Sequence, residues 1–224
     1  IELQKLKAAV QEFEKSGPIE IDRKVLNAVV SDAEIFMAAL TKTNNVDLIA
    51  VLENKYQTAK TMKDTYQVTQ VQVDTATNEL NAVIEANKDV FNAILDYQKT
   101  IEKANKQLSN TTIGDKDGNV PQSAADALTQ AVSTAQSDYM ASSNHVETIV
   151  TITNTLQAAL ETFQNAQVKV DRQALKIAII LAKTKTKDDY TSSSWTSFSK
   201  AYNNAMKIDS GSNVSVKEVE DATK

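Results

Sequence analysis

Cysteine is absent from this chain of 224 residues, and glycine (4) and proline (2) are scarce. Without cysteine, the chain has no disulfide, no thiolate metal ligand and no cysteine nucleophile. Turn-rich β architectures need glycine and proline, so their scarcity favours an all-α fold. An excess of positive charge is missing too, because 24 basic and 29 acidic residues give a net charge of −5. With no basic stripe, the sequence predicts no nucleic-acid partner.

Long hydrophobic runs are also missing. The longest apolar run, residues 177 to 182, is far shorter than the roughly 18 residues of a membrane span. We therefore predict no membrane insertion. Ile1 falls within a predicted helix, so we expect the chain to be cut from a longer protein, and the missing signal peptide then carries no information on localisation.

The chain does contain an internal repeat. At a displacement of 150 residues, Leu6 and Phe13 coincide with Leu156 and Phe163. At a displacement of 76 residues, Leu80 coincides with the same Leu156. The repeating unit is therefore about 75 residues long, which is typical of an array of small modules. Such an array differs from a single globule built around a catalytic pocket.

Apolar residues at spacings of three and four predict helices along the whole chain. Three such stripes joined by short polar turns are typical of a three-helix bundle. We predict an all-α fold in which tandem three-helix bundle modules form an elongated rod, with a continuous helix shared between modules one and two. The predicted parts are the C-terminal helix of a preceding module (1–16), module one (22–87), module two (88–168) and module three (171–224), whose third helix is truncated.

Two kinds of joint are predicted between modules. No glycine or proline interrupts the stretch from Gln70 to Asn105, which predicts one stiff helix through the boundary of modules one and two. The links Gly17–Ile21 and Gln167–Val170 alternate apolar and polar residues, which indicates extended, articulated segments. Asp22 is the predicted N-cap of the helix that follows the first link.

Module three carries motifs of a known family. Val170-Asp171-Arg172-Gln173-Ala174-Leu175, then Asp189-Tyr190-Thr191 and Ser194-Trp195 with Phe198 and Ala205, resemble the FIVAR module. The closing helix of that module is similar to Thr69–Ala76 with Leu80, and to Ser215–Ala222. FIVAR modules are helical repeats of Gram-positive surface adhesins and of the non-catalytic tails of secreted carbohydrate-active enzymes. The resemblance covers module three well, module one in part and module two weakly.

This resemblance implies a secreted or cell-wall-anchored, extracellular protein, in which the modules serve as spacers or as contact surfaces. It offers no catalytic residue, and we expect no enzymatic activity. Our leading hypothesis is a non-catalytic stalk of a bacterial cell-surface adhesin that projects a distal binding domain, its partners being neighbouring modules of the same chain. The alternatives are a helical binding module for a host extracellular protein or glycan, and an accessory region of a secreted carbohydrate-active enzyme.

One loop bears on metal binding. Asp115, Asp117 and Asn119 place oxygens at alternate positions, as at the start of an EF-hand calcium loop. Val120 stands at the sixth position, where that loop needs glycine, and Asp126 replaces the glutamate at the twelfth. We therefore predict no metal and no cofactor, and we interpret the segment as a polar loop between helices. Calcium bound by Asp115, Asp117, Asn119 and Asp126 is the alternative.

For the other residues that could bind a ligand or act in catalysis, the sequence predicts roles in packing and helix capping. His145, the one histidine, has no cysteine or second histidine to complete a metal site or a catalytic pair, which predicts a solvated or capping role. The spacing of Trp195, Phe198 and Tyr202 predicts core residues more than a sugar-stacking platform. Carboxylates near predicted helix starts interact favourably with the helix dipole, so they are not assigned as acid–base pairs. They are Asp188, Asp189, Glu218, Glu220 and Asp221.

Overall fold

We describe the protein from a computed structural model, in which residues 1–16 and 20–224 are described. Within these residues the chain forms ten α-helices, one 3-10 helix (Lys187–Asp189) and no β-strand, which confirms the predicted all-α helical bundle fold. Two compact units are present, Ile1–Leu95 and Asp96–Lys224. The helices are α1 (Glu2–Ser16), α2 (Lys24–Lys42), α3 (Val46–Asp64), α4 (Gln70–Ala86), α5 (Lys88–Asn110), α6 (Gln122–Ala141), α7 (Val146–Asn165), α8 (Gln173–Lys183), α9 (Ser192–Ser210) and α10 (Val216–Thr223).

The first unit contains a three-helix bundle. Helices α2, α3 and α4 each contact the other two. Their apolar side chains meet at the bundle axis because they recur every three or four residues, as the sequence predicts. Burial of each large aliphatic side chain contributes about 1.5–3 kcal/mol to stability. The fully buried members are Leu26, Val30, Ala33, Leu40, Leu52, Ala59 and Leu80.

The start of α2 differs from the prediction by one residue. Arg23, not Asp22, is the N-cap, and the helix begins at Lys24. The Asp22 carboxylate still satisfies a helix-end donor, because its Oδ1 accepts from the Lys24 backbone N–H at 2.8 Å. Asp171 does the same for Gln173 at 2.8 Å. The pair Asp22-Arg23 recurs as Asp171-Arg172, and this Asp-Arg motif forms the same helix start in both units.

The helix predicted to run unbroken from Gln70 is divided at Asn87. The Asn87 backbone N–H bonds to the Ile84 carbonyl at 3.1 Å, in place of the Val83 carbonyl that a continuing α-helix requires. The Asn87 side chain takes the Val83 carbonyl itself, at 2.9 Å. Asparagine side chains compete for helix carbonyls in this way, so the break has a local chemical cause without glycine or proline.

The second unit contains two sets of packed helices. In the first set, α6 packs against α7, and Tyr97 of α5 stacks on Tyr139 of α6 with ring centroids 4.3 Å apart. Burial raises the pKa of Tyr97 to about 12, with a further contribution from Tyr139. In the second set, α8, α9 and α10 each contact the other two. The buried core of that set is Leu175, Ile179, Ala205, Val214 and Val219.

Helix α1 in the first unit keeps an exposed apolar stripe, to which Leu3, Leu6 and Val10 belong. The predicted link Gly17–Ile21 lies mostly outside the described residues, since 17–19 are not among them. None of the helices in residues 1–16 and 20–224 combines the length and apolar character that a membrane span requires.

Candidate functional site

The loop between α5 and α6, which carries the calcium-like motif, is organised by Val120. The Val120 N–H donates to the Thr112 carbonyl at 3.0 Å, and its own carbonyl accepts from Gly114 at 2.9 Å. The Val120 side chain is buried. A valine therefore stands at the sixth motif position because its apolar side chain anchors the loop, a role that glycine cannot fill.

The tip of the loop is a tight turn from Lys116 to Asn119. The Asn119 N–H bonds to the Lys116 carbonyl at 2.9 Å, and Gly118 has a φ of +84°. A positive φ at the third position is what a type II turn requires, and glycine adopts it without steric cost. The turn presents the backbone of Asp117 and Gly118 outward from the loop.

This tip pairs with backbone far along the sequence. Gly118 N–H donates to the Val168 carbonyl at 2.9 Å, and Val168 N–H donates to the Asn119 carbonyl at 2.8 Å. Asp117 N–H donates to the carbonyl of Val214, just before α10, at 2.8 Å. The loop is thus held to the link after α7 and to the link before α10 at the same time.

The Asp117 side chain completes the attachment. Its Oδ1 accepts from the Val170 N–H at 3.2 Å, and its Oδ2 accepts from Nη2 of Arg172 at 3.0 Å. Arg172 also donates through Nη1 to the carbonyl of Asp209, in the last turn of α9, at 3.1 Å. Both side chains of the ion pair are partly shielded from water, with exposed fractions of 18% and 34%.

We call these contacts the loop clamp; it is made by Asp117, Gly118, Asn119, Val168, Val170, Arg172 and Val214. The link Gln167–Val170 was predicted to be articulated. In the structure Val168 bonds to the backbone of the loop tip and Val170 bonds to the Asp117 carboxylate, so direct hydrogen bonds hold this joint.

The four candidate calcium ligands have separate surroundings. Both carboxylate oxygens of Asp117 are engaged in the loop clamp, and Asp126 lies on α6, where it accepts from Gln122 at 2.8 Å. Asp115 is exposed, and Asn119 contributes its backbone to the clamp. Across residues 1–16 and 20–224, no three His, Asp or Glu side chains form a group suited to a metal ion. The absence of a metal from this loop stays a prediction, with calcium as the alternative.

An arginine of the first unit makes the same kind of contact that Arg172 makes with the Asp209 carbonyl. Arg23 donates through Nε to the Met62 carbonyl at 3.2 Å and through Nη2 to the Thr65 carbonyl at 2.9 Å. Both arginines of the chain therefore reach the C-terminal end of the second helix in their bundle, where the carbonyls lack helix partners. The repeated Asp-Arg motif was visible in the sequence, but the contact that arginine makes was not.

Aromatic side chains form a row that begins at Tyr190, just before α9, and continues along α9. The centroid distances are 6.2 Å from Tyr190 to Trp195, 5.2 Å from Trp195 to Phe198 and 6.1 Å from Phe198 to Tyr202. Tyr202 packs against the core of the second set, as predicted. Trp195 and Phe198 are only half-buried, so the prediction of core positions is incomplete for them. Tyr190, at the end of the row, is exposed.

His145 and Glu218, one of the clustered carboxylates, lie at helix starts. His145 is the N-cap residue of α7, and its Nδ1 lies 2.9 Å from the Ser142 carbonyl. Glu218 accepts from the backbone N–H of Ser215 at 2.7 Å and from its hydroxyl at 3.0 Å, in a capping box. These bonds, in that order of importance, hold the pKa of Glu218 below its ordinary value.

Comparison with known proteins leaves the function to be inferred from these contacts and from the repeat. No protein-family model matches the chain, and no curated protein or solved structure is found to be similar to it.

Proposed function

We propose that this chain is a non-catalytic spacer region of a bacterial cell-surface adhesin. In this proposal, tandem three-helix modules hold a distal binding domain away from the cell wall. The loop clamp is the observation that carries it. A spacer needs joints that resist bending, and the clamp joins the loop after α5 to the link before α8 and to the link between α9 and α10.

The repeated arginine contact supports the same proposal. In each set of three helices, the Asp-Arg motif lies at the start of the first helix, and its arginine donates to a carbonyl at the end of the second helix. Arg23 makes this contact in the first unit and Arg172 makes it in the second. An array grows by repeating a unit whose internal contacts are self-contained. The sequence resemblance to FIVAR modules adds the extracellular, secreted or wall-anchored location to the proposal.

Small-angle X-ray scattering of the full chain tests the spacer. A compact domain of this length has a radius of gyration of about 17 Å. We expect a clearly larger value, and a maximum dimension that is preserved across salt concentrations. A value near that of a compact domain would contradict the proposal.

A second candidate is favoured by the aromatic row of α9. Tyr190, Trp195 and Phe198 offer partly exposed rings, which stack well on sugar faces and on apolar protein surfaces. In this candidate function, the chain itself binds a host glycan or protein. Arrays of glycans and matrix proteins test it, with Trp195→Ala as the variant that should lose the signal. Absence of any signal from the unaltered chain would count against it.

A further inference from the structure

The loop clamp closes the helical hairpin of α6 and α7 at its base. The chain enters this hairpin just after the loop tip and leaves it just before Val168. Gly118 donates to the Val168 carbonyl at 2.9 Å, and the Asp117 carboxylate accepts from the Val170 N–H at 3.2 Å. The segments before and after the hairpin are therefore joined directly, and residues 119–167 leave and rejoin this junction.

The helical hairpin of α8 and α9 is closed at the same place. Arg172, the N-cap of α8, donates to the Asp209 carbonyl in the last turn of α9 at 3.1 Å. The Asp117 N–H donates to the carbonyl of Val214, just before α10, at 2.8 Å. One loop tip therefore contacts the chain before α8 and again after α9.

The first unit closes its hairpin of α2 and α3 with different side chains. Arg23 bonds to the Met62 and Thr65 carbonyls at the end of α3. Asp22, before α2, pairs with Gln70, in the first turn of α4. The Asp22 N–H donates to Oε1 of Gln70 at 2.8 Å, and Nε2 of Gln70 donates to the Asp22 carbonyl at 3.0 Å. The backbone before α2 is thus joined to the start of α4 by a path that does not pass through α2 and α3.

These contacts at the hairpin bases differ in kind from the bonds inside the helices. Each backbone bond of an α-helix joins residues four apart, so a helix drawn out from one end loses its bonds one after another. Asp117 and Val170 are 53 residues apart in the sequence, and Asp22 and Gln70 are 48 apart. The base contacts must therefore break before either helix of a hairpin can be drawn out from its base.

We propose that the base contacts carry tension along the chain past the paired helices. A pulling force that reaches the loop tip crosses to Val168 and Val214 through the loop clamp, and helices α6 to α9 stay folded until the clamp opens. In the first unit the Asp22–Gln70 pair does the same for α2 and α3. This inference rests on the proposed spacer function, because a stalk that holds a cell to its target is loaded in tension.

Single-molecule force spectroscopy of the full chain tests the loop clamp. The chain has no cysteine, so Asp115→Cys and Lys169→Cys place two unique handles on either side of the base of the α6–α7 hairpin. Both positions are exposed. At constant force we expect a long-lived short state and then one abrupt extension of about 170 Å, because about 50 residues are released at roughly 3.4 Å each.

Asp117→Asn removes the charge that Arg172 contacts and keeps the shape of the side chain. We expect it to shorten the lifetime of the short state at least about tenfold at the same force. Hydrogen bonds between charged groups are the stronger ones, and forced unfolding follows the unfolding rate. Asp126→Asn is the matched control, because Asp126 accepts from Gln122 of its own helix. This control should leave the lifetime unchanged.

A second pair of handles tests the first unit independently of the loop clamp. Glu20→Cys and Val71→Cys lie on either side of the Asp22–Gln70 pair, and both positions are exposed. Gln70→Ala should shorten the lifetime of the state that precedes extension of the α2–α3 hairpin. Gln57→Ala, which removes a side-chain bond inside α3, is the matched control and should not.

Three outcomes would overturn the inference. One is an α6–α7 hairpin that lengthens gradually with force and shows no abrupt step. Another is an equal lifetime for the Asp117→Asn and Asp126→Asn chains when circular dichroism shows the same helix content in both. The third is an equal lifetime for Gln70→Ala and Gln57→Ala, which decides the question even if Asp117→Asn unfolds the second unit. A compact scattering envelope together with an abrupt, Asp117-dependent step would contradict the spacer function and leave the tension path in place.

Discussion

At the residue scale, the two arginines make the contacts that lysine could not reproduce. The Arg172 guanidinium bonds in two directions, to the Asp117 carboxylate and to the Asp209 carbonyl. A lysine ammonium is a point charge without this planar set of donors. The Asp117–Arg172 pair is also partly shielded from water, so it is screened less than a surface pair.

A double-mutant cycle measures this pair. With Asp117→Ala, Arg172→Ala and the double variant, we expect a coupling free energy of about 1–3 kcal/mol in urea unfolding. The matched control is the exposed pair Lys217–Asp221, for which the coupling should be clearly smaller because water screens both charges. Equal coupling in the two cycles would show that the clamp ion pair adds nothing beyond an ordinary surface pair.

Gly118 provides a second residue-scale prediction. Its φ of +84° is unfavourable for a side chain, although a Cβ there meets no atom within 4 Å. Gly118→Ala should therefore lower the free energy of unfolding by about 1–2 kcal/mol through backbone strain alone. Asparagine tolerates this conformation better, so Gly118→Asn should cost less. If Gly118→Ala left the free energy of unfolding unchanged in chemical denaturation, the positive φ of Gly118 would not impose this strain on a side chain.

The calcium question is also decided by single residues. Because both oxygens of Asp117 already accept hydrogen bonds, we expect calcium to leave the melting temperature of the full chain unchanged. A specific site would raise stability by about 2.7 kcal/mol at a calcium concentration one hundred times its dissociation constant. Calorimetry with calcium and with magnesium as a control would detect that rise, and a calcium-specific rise would restore the EF-hand interpretation.

At the scale of the element, α4 and α10 begin in the same way. Thr69 with Gln72, and Ser215 with Glu218, form complete capping boxes. Our sequence analysis did not predict either box, although a capping box depends on residues only three apart. The two boxes differ in one respect, since glutamate titrates and glutamine does not.

This difference predicts a pH dependence for α10. The Ser215 bonds hold the pKa of Glu218 below its ordinary value of 4.5, so the stabilisation is present above that value and is lost as the pH falls through the lowered pKa. Glu218→Gln should keep the box, as Gln72 does, and reduce the loss of stability on acidification. Urea unfolding measured from about pH 6 down to pH 3 tests this. An identical acid dependence in both proteins would contradict it.

At the scale of the whole molecule, the loop clamp couples segments distant in sequence within the second unit. We expect amides of the loop 111–121 and of the link 166–172 to be protected together in hydrogen exchange. Arg172→Ala should accelerate exchange in both segments. Arg23→Ala, which removes the equivalent contact in the first unit, is the control and should leave both segments unchanged. Faster exchange in only one segment would mean that the clamp does not act as a single structure.

The sequence alone determined the helices, most of their ends and the register of the repeat. These features depend on residues a few positions apart, such as the apolar stripe of α2, so local chemistry suffices to predict them. Asn87 is the local exception, because its side chain takes a carbonyl that apolar periodicity does not report.

Only the tertiary structure decided what the loop at Asp117 holds and which rings of α9 remain partly exposed. Asp117 meets Val170, Arg172 and Val214, residues that follow it by 53 to 97 positions. Trp195 is half-buried, whereas Tyr202, two turns further along α9, packs against the core of the α8–α10 set. Contacts over such separations depend on how folded elements are placed in space, and neither residue spacing nor capping chemistry encodes that placement.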